Sequence, residues 1–238
     1  MDTLVAQTKQ AVIDGGRMDR ETALRLLEAD HSDLWRAADD IRRHFLGDRF
    51  DLCSIINARS GNCTENCRFC AQSARHHTGI DTYTVIPEDE ALTQAADNDQ
   101  HGVGRLSLVT SGRSLAPDTL EALVGLYSKM AASTSLLFCA SAGMLTPEIA
   151  ATLKEAGVGR YHCNLEASRG YFPQVCTTHT WAEKVETLQL ARSAGMTLCS
   201  GGIIGMGEQM TDRIDMALEL RDLEVTSIPI NILTPIPG

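Results

Sequence analysis

The chain has 238 residues, of which 43% are hydrophobic and 22% are charged, values typical of one large globular domain with a buried core. Its formal net charge of −10 argues against a nucleic-acid partner, which would need a basic face. No apolar run approaches the roughly 20 residues that cross a bilayer, and residues 1–17 lack the apolar centre of a secretion signal. The sequence therefore predicts a cytoplasmic protein with no membrane partner and no nucleic-acid partner.

The first 48 residues are predicted to form a helical extension. Apolar residues recur there at helical spacing over residues 21–28 and 34–45. From residue 49 onwards, short β-rich runs alternate with amphipathic helices. The six predicted strands are Leu52–Ala58, Arg105–Val109, Ser135–Ala140, Arg160–Leu165, Thr197–Ile204 and Thr226–Leu233.

Two of the helices between these strands have clear boundary signals. The pair Thr146–Pro147 supplies an N-cap and a first-turn proline, and Gly157 is placed to end that helix. Thr180 and Glu183 have the spacing of a capping box, with Gly195 as the C-terminal stop. Such crossover helices between strands predict a parallel sheet with right-handed connections.

The predicted fold is α/β, a partial parallel (β/α) barrel of the TIM type that occupies residues 49–238. Six βα units of about 32 residues each fit this length, and no helix follows the sixth strand. A doubly wound sheet is the competing architecture, but its first βα turn should be short and rich in glycine. Here the first connection is long and runs from Arg59 to about Pro87.

That long connection contains three cysteines, Cys63, Cys67 and Cys70, in a C-x3-C-x2-C run. Clustered cysteines in a cytosolic protein more often bind metal than form disulfides. Three thiolates can hold a four-iron cluster and leave one iron open for a substrate or cofactor. Barrel enzymes build their active sites from βα loops, and the three cysteines lie in such a loop.

A structural zinc site is the alternative interpretation of these cysteines. Together with Cys53, the three could supply four tetrahedral ligands. Structural zinc sites usually pair their ligands in two short hooks, however, and the second hook is absent. An electron-transfer ferredoxin would need a fourth cysteine close by. The zinc alternative predicts a non-catalytic module that contains zinc and neither iron nor sulfide.

The cysteine run, with Phe69 directly before Cys70, resembles the signature of the radical S-adenosylmethionine (SAM) enzymes. In that superfamily the open iron binds SAM, which is then cleaved to a 5′-deoxyadenosyl radical. Motifs that extend from about residue 20 to residue 238 are more narrowly similar to biotin synthase and follow its order. Besides the cysteines, they are Ser54–Gly61, Ala71–Arg75, Asn164–Glu166, Thr177–Thr180, Cys199–Glu208 and Pro229–Asn231.

The resemblance implies a sulfurtransferase that converts dethiobiotin to biotin by radical hydrogen abstraction and sulfur insertion. It implies a [4Fe-4S] cluster, SAM and an auxiliary iron–sulfur cluster as cofactors. It also implies an electron donor such as flavodoxin or ferredoxin, and it is compatible with a homodimer. Chains of this family continue with two more βα units, so this chain is expected to lack their C-terminal part. A hydrogenase-cofactor maturase of the same barrel type is the alternative enzyme.

The resemblance also implies roles for single residues. No side chain receives a catalytic role, because the cofactors perform the chemistry. An amide suits the ureido ring of dethiobiotin because it offers both a donor and an acceptor. The implied roles are [4Fe-4S] ligation by Cys63, Cys67 and Cys70, support of the adenine by Phe69, acceptance of ribose hydroxyls by Glu166, close backbone approach to SAM at Gly201, Gly202 and Gly205, and substrate binding by Asn164 and Asn231.

The chain departs from the family at the auxiliary cluster. In the well-known members, three cysteines and a late arginine bind a sacrificial [2Fe-2S] cluster. Cys139 and Cys199 match two of these cysteines, but Ser107 stands at the third position. Serine is a poor substitute for a soft thiolate. The type of auxiliary cluster therefore stays open, and the chain resembles relatives that use a different one.

Two other cysteines are candidate replacements for the absent ligand, and a third is not. Cys163 and Cys176 lie near strand and loop ends on the expected active face and are candidate ligands. Their alternative role is that of small buried hydrophobes, as is common for free cysteine. Cys53 stands near the start of the first strand, away from that face, and is predicted to be structural.

Overall fold

A computed structural model describes residues 2–238, which divide into two compact units, Met1–Asp51 and Leu52–Gly238. The first unit consists of helices α1 (Thr3–Ile13), α2 (Arg20–Leu26) and α3 (His31–Leu46). An aspartate caps each helix, because its carboxylate accepts hydrogen bonds from backbone N–H groups of the first turn. The helices expected over residues 21–28 and 34–45 are both present as α2 and α3.

The second unit alternates strands with helices along its whole length. Among residues 2–238, no helix has both the length and the apolar character that crossing a membrane requires. Its elements in chain order are β1 (Cys53–Arg59), α4 (Glu88–Gln100), β2 (Arg105–Thr110), α5 (Pro117–Ser133), β3 (Leu137–Ser141), α6 (Pro147–Glu155), β4 (Val158–His162), a 3₁₀ turn (Phe172–Gln174), α7 (Trp181–Ser193), β5 (Thr197–Cys199), β6 (Gly202–Ile204), α8 (Met210–Asp222) and β7 (Ile230–Ile232).

The strands are parallel and follow one another in chain order, as in a (β/α) barrel. Strands β1 to β5 form one sheet, and β6 pairs with β7. Isolated bridges from Glu166 to Gly202 and from Cys199 to Ser227 connect the β6–β7 pair to the end of the larger sheet. This arrangement confirms the predicted α/β class and the partial barrel.

Three predicted strands differ clearly from the structure. The sixth, Thr226–Leu233, is reduced to β7 (Ile230–Ile232), and the other two differ for local reasons. The run Thr197–Ile204 is divided into β5 and β6 where Gly201 lies against Pro229, and a Cβ at Gly201 would overlap the carbonyl oxygen of Pro229. Strand β4 begins two residues before the predicted Arg160 and ends at His162. The chain then leaves the sheet and reaches Glu166, whose φ of 69° is incompatible with a strand.

Alternating side chains of the strands separate a core from a barrel lumen. One set is buried against the helices and includes Ile56, Leu108, Phe138, Tyr161 and Leu198. The other set points to the inside of the barrel. It includes Ile55, Ser107 and Cys139, which adjoin one another in the strand registers, and the register pair His162 and Cys199.

Candidate functional site

A cavity of about 280 Å³ lies at the carboxyl ends of the strands. The ends of β2, β3 and β4 contribute Val109, Ser141 and His162 to its wall. The long β1–α4 connection and the start of α7 close the remainder. The side chains that line it include Cys63, Cys67, Cys70, Asn164, Glu166 and Lys184.

The three-cysteine loop is folded onto itself by its own backbone. The N–H of Cys63 donates to Gln72 O at 3.0 Å, and the N–H of Ala74 donates to Cys63 O at 2.8 Å. The buried hydroxyl of Ser73 donates to Glu65 O at 2.6 Å. These bonds bring the three free thiols to one cavity, although Cys63 and Cys70 are seven positions apart in sequence.

The three thiols form a donor set that suits an iron–sulfur cluster. They are free, and they converge on a cavity that can hold a bound group. Burial raises the pKa of Cys67 and Cys70, and neighbouring thiols raise it further. Iron binding must therefore displace protons, and the metal charge then stabilises thiolates that burial alone disfavours.

A buried carboxylate fixes this loop to the connection before α7. Glu65 Oε2 lies 2.6 Å from His179 Nδ1, 2.8 Å from Thr178 Oγ1 and 3.3 Å from Arg113 Nη1. Burial opposes ionisation of Glu65, but the hydrogen bonds from His179 and Thr178 lower its pKa on balance. Burial lowers the pKa of His179, so its imidazole is neutral and donates Nδ1–H to the carboxylate.

Cys176 lies beside the same loop. Ligand atoms of Cys67, Cys176 and His179 all lie within 4.8 Å of one another, which makes them the one group of three such residues in the part of the chain that is described. Burial would raise the pKa of Cys176, but hydrogen bonds from Thr178 and from backbone N–H groups lower it. Cys53 is the first residue of β1 and is not a member of this group.

Glu166 presents an unused acceptor near the cavity. Its Oε2 atom is shielded from water and has no hydrogen-bond partner among residues 2–238. Burial raises the pKa of this carboxyl group, while the ammonium of Lys184 and the side chain of Asn164 act in the opposite direction. Its backbone is tied on both sides, because Glu166 N donates to Gly201 O and Glu166 O accepts from Ile203 N.

Lys184 is a cavity residue that sequence reasoning missed. Its Nζ donates to Asn164 O at 2.8 Å. Burial would lower its pKa, but Cys163, Glu166 and other acidic neighbours raise it, so the side chain stays charged. Its position in the first turn of α7 gives no sign of this role, since a lysine there is normally solvated.

A second cavity of about 260 Å³ adjoins the first along Phe69 and Cys70, which line both. Tyr171 and Met206 form part of its wall. Gly201 and Gly202 do not line either cavity. Added Cβ atoms would overlap Pro229 and Met216, so close packing within the protein already requires glycine at both positions. Gly205 has a φ of 94°, and its N–H donates to the carboxylate of Glu208 at 2.9 Å.

The remaining predicted residues lie outside the main cavity. Asn231 is an exposed residue of β7 in register with Ile203. Ser107, Cys139 and Cys199 lie deeper in the barrel lumen. His162 lies between the main cavity and the cysteines of the lumen, because it lines the cavity and its Nδ1 lies 3.1 Å from Cys199 Sγ.

A parallel barrel with three free thiols in its first βα loop defines a class of protein. The sequence model of the Radical SAM superfamily matches residues 58–221, so the chain belongs to that superfamily. The structure of methylornithine synthase (PylB) is similar, with a TM-score of 0.83 and 19% identity over 95% of this chain and 68% of that one. The [FeFe]-hydrogenase maturase HydG from Carboxydothermus hydrogenoformans has a TM-score of 0.79 at 18% identity, over 97% of this chain and 57% of that one. At such identities, both show the fold alone.

Sequence relatives narrow the class to one family. A biotin synthase of Desulfotalea psychrophila is 47% identical over 239 residues, which cover 99% of this chain and 71% of the relative. A biotin synthase of Heliobacterium modesticaldum is 47% identical over 241 residues, which cover 100% of this chain and 74% of the relative. The chain belongs to the biotin synthase family, and it spans about three quarters of the length of these relatives.

Proposed function

We propose that this protein converts dethiobiotin to biotin by hydrogen abstraction and sulfur insertion. The observation that carries the proposal is the 47% identity to biotin synthases over nearly the whole chain. The three free thiols that share one cavity support it. When bound there, a [4Fe-4S] cluster and SAM supply a radical that removes hydrogen from an unactivated carbon, and the protein supplies placement and shielding.

We assign each of these side chains of the cavity to a different part of the cluster and SAM. Cys63, Cys67 and Cys70 hold three irons and release their protons on binding. Lys184 is the cation that faces the cluster thiolates, and we assign it the carboxylate of SAM. The unpartnered oxygen of Glu166 accepts a ribose hydroxyl. Phe69, which lies between the two cavities, offers an apolar face to the adenine.

Two amides are available for the ureido ring of dethiobiotin. Asn164 Oδ1 already accepts from Gly201 N at 2.9 Å, so its NH₂ group is the part left for a substrate. We therefore assign Asn164 to the ureido oxygen. Asn231 is exposed and in register with Ile203 on β6. A Cβ on the neighbouring Gly202 would lie against Met216, so Ile203 and Asn231 face the opposite side of the strands. This side chain is assigned to a ring N–H group.

The sulfur is proposed to come from an auxiliary iron–sulfur cluster in the lumen, at Cys139 and Cys199 with Ser107 beside them. A flavodoxin or ferredoxin is the proposed electron donor. A cytoplasmic location suits the eight free cysteines, because a reducing compartment keeps thiols unpaired. A homodimer is compatible with the family. The glycines 201, 202 and 205 keep a proposed role near SAM in addition to their packing.

The test is anaerobic reconstitution of the full chain with iron and sulfide, followed by electron paramagnetic resonance with and without SAM. We expect a reduced four-iron signal that changes when SAM is added. Mass spectrometry should then detect 5′-deoxyadenosine and, with dethiobiotin present, biotin. Bound zinc with no such signal would overturn the proposal. A signal and 5′-deoxyadenosine without biotin would restrict the chain to SAM cleavage.

A further inference from the structure

Cys53 shares the barrel lumen with Cys139 and Cys199. It is the first residue of β1 and is in register with Arg105 on β2, while Ser107 is in register with Cys139 on β3. The neighbouring side chain of Ile56 is 1% exposed and belongs to the core between the sheet and the helices. Since side chains alternate along a strand, Cys53 and Ile55 point to the opposite side, into the lumen.

The three thiols share one electrostatic environment. Arg105 Nη1 lies 3.9 Å from Cys139 Sγ, and Arg160 on β4 is in register with Cys139. Arg105 thus adjoins Cys53 in the strand register and reaches Cys139 with its guanidinium group. Cys199 Sγ lies 3.1 Å from His162 Nδ1, and His162 is two residues from Arg160 along β4. Three thiols and two permanent cations therefore line the lumen side of the sheet.

Ser107 contributes an unpaired hydroxyl group to the same space. Its side chain is 4% exposed, and its Oγ atom has no hydrogen-bond partner in the described part of the chain. A buried hydroxyl without a hydrogen-bond partner destabilises the folded protein. The hydroxyl lies beside Cys139 in the register, so a group held by the cysteines would satisfy it.

We propose that Cys53, Cys139 and Cys199 together ligate the auxiliary iron–sulfur cluster, with Cys53 as the third thiolate and Ser107 as a hydrogen-bond donor to the cluster. This inference rests on the proposed function, because it assigns the ligands of its sulfur source. Each thiol loses its proton to solvent when its iron–sulfur bond forms. Arg105 and Arg160 then offset the negative charge of the ligands. A thiolate suits iron–sulfur ligation better than the hydroxyl of Ser107.

The other two spare cysteines lie elsewhere. Cys176 Sγ lies 3.3 Å from His179 Nδ1, beside the loop of Cys67 at the carboxyl ends of the strands. Cys163 is buried in the core and lines the cavity near Lys184. Both lie at the carboxyl ends of the strands, so Cys53 is the spare cysteine on the lumen face of a strand. The proposal therefore gives a ligand role to a residue that the sequence predicts to be structural.

The test isolates the auxiliary site in the full chain that carries Cys63→Ala, Cys67→Ala and Cys70→Ala. After reconstitution with iron and sulfide, this parent is expected to bind one cluster, measured as iron and sulfide per chain and by Mössbauer spectroscopy. Adding Cys53→Ala should remove most of that iron, as should Cys139→Ala. Ser54→Ala is the matched control on the same strand and should bind iron like the parent.

A rescue variant protects the test against a simple folding defect. Adding Ser107→Cys to the Cys53→Ala variant places a thiol beside Cys139 and should restore the bound iron. Unchanged iron and an unchanged Mössbauer spectrum in Cys53→Ala would overturn the assignment. So would loss of iron that Ser107→Cys fails to restore. A parent that binds no cluster would also overturn it, while SAM cleavage by the unmodified protein would still support the radical enzyme.

Discussion

At the scale of single residues, the free oxygen of Glu166 is the clearest sign that the cavity is built for a hydroxyl-bearing ligand. We expect Glu166→Gln to weaken SAM binding by about 10–100-fold, the value of one charge-assisted hydrogen bond of roughly 1.5–3 kcal/mol. The shape of the side chain is kept, so the [4Fe-4S] cluster should remain. Equilibrium dialysis of the reconstituted protein measures the effect. The exposed Glu186→Gln change on α7 is the control and should have no effect.

The same carboxyl group predicts a pH dependence. Burial raises the pKa of Glu166, so its carboxylate takes up a proton at a higher pH than an ordinary glutamate as the solution is acidified. The protonated form loses an acceptor, and SAM affinity should therefore fall as the pH decreases through this raised pKa. In Glu166→Gln the acidic loss should be absent. A dialysis series over pH that shows the same loss in both proteins would contradict this assignment.

Single cysteines should separate the two cluster sites. We expect Cys67→Ala to abolish SAM cleavage, since it removes a [4Fe-4S] ligand. Cys139 lies in the lumen and not in the main cavity, so Cys139→Ala should retain SAM cleavage and stop biotin formation. Quantification of 5′-deoxyadenosine and biotin in the same reaction checks both. Equal loss of the two products in Cys139→Ala would argue against separate sites.

At the scale of elements, the N-terminus of α7 connects helix stability to the cluster loop. Thr180 and Glu183 form the predicted capping box, and Glu183 also forms an ion pair with Arg113. Arg113 in turn contacts Glu65 in the cysteine loop. The start of the helix therefore helps to fix the loop that binds the cluster.

This connection predicts a measurable loss of stability. Thr180→Ala should lower the free energy of unfolding by about 1 kcal/mol, the usual value of an N-cap. Urea denaturation of the cluster-free protein under anaerobic conditions is the measurement. Thr93→Ala removes a threonine from the exposed surface of α4, where alanine is the better helix former, and should cause no loss. A Thr180→Ala protein as stable as the parent would contradict the role of the cap.

Part of the site was predictable because its signals lie close together in the sequence. The rest depends on contacts between residues that are far apart in the sequence. The spacing of Cys63, Cys67 and Cys70 is local, and the capping box at Thr180 was visible for the same reason. The Glu65–His179 contact joins residues 114 positions apart, and no pattern in the sequence indicates it. Cys53 was placed away from the active face because it begins a strand. Only the strand registers show that its side chain shares the lumen face with Ser107 and Cys139.

At the scale of the whole molecule, β1 and β7 are the outer strands of the described sheets. On β7 the apolar side chains of Ile230 and Ile232 are 51% and 77% exposed. Unpaired strand edges with exposed apolar groups promote pairing between chains. We therefore expect this 238-residue chain to self-associate as its concentration rises.

A charge on the outer strand should reduce this association. In light scattering coupled to size-exclusion chromatography, Ile232→Lys should shift the protein to lower mass at a given concentration. Leu27→Lys makes the same change on an exposed residue of the first unit and should leave the mass unchanged. Equal masses for Ile232→Lys and the parent would show that the β7 edge does not mediate association.

The exposure of Cys53 bears on how the proposed sulfur source is restored between turnovers. Cys139 is 3% exposed, whereas Cys53 is open to solvent at the amino end of β1. The main cavity lies at the other end of the strands. A cluster held by Cys53 would therefore be open to solvent at the end of the barrel opposite the main cavity. Reagents that rebuild such a cluster would reach it at that end, and the substrate would enter at the other.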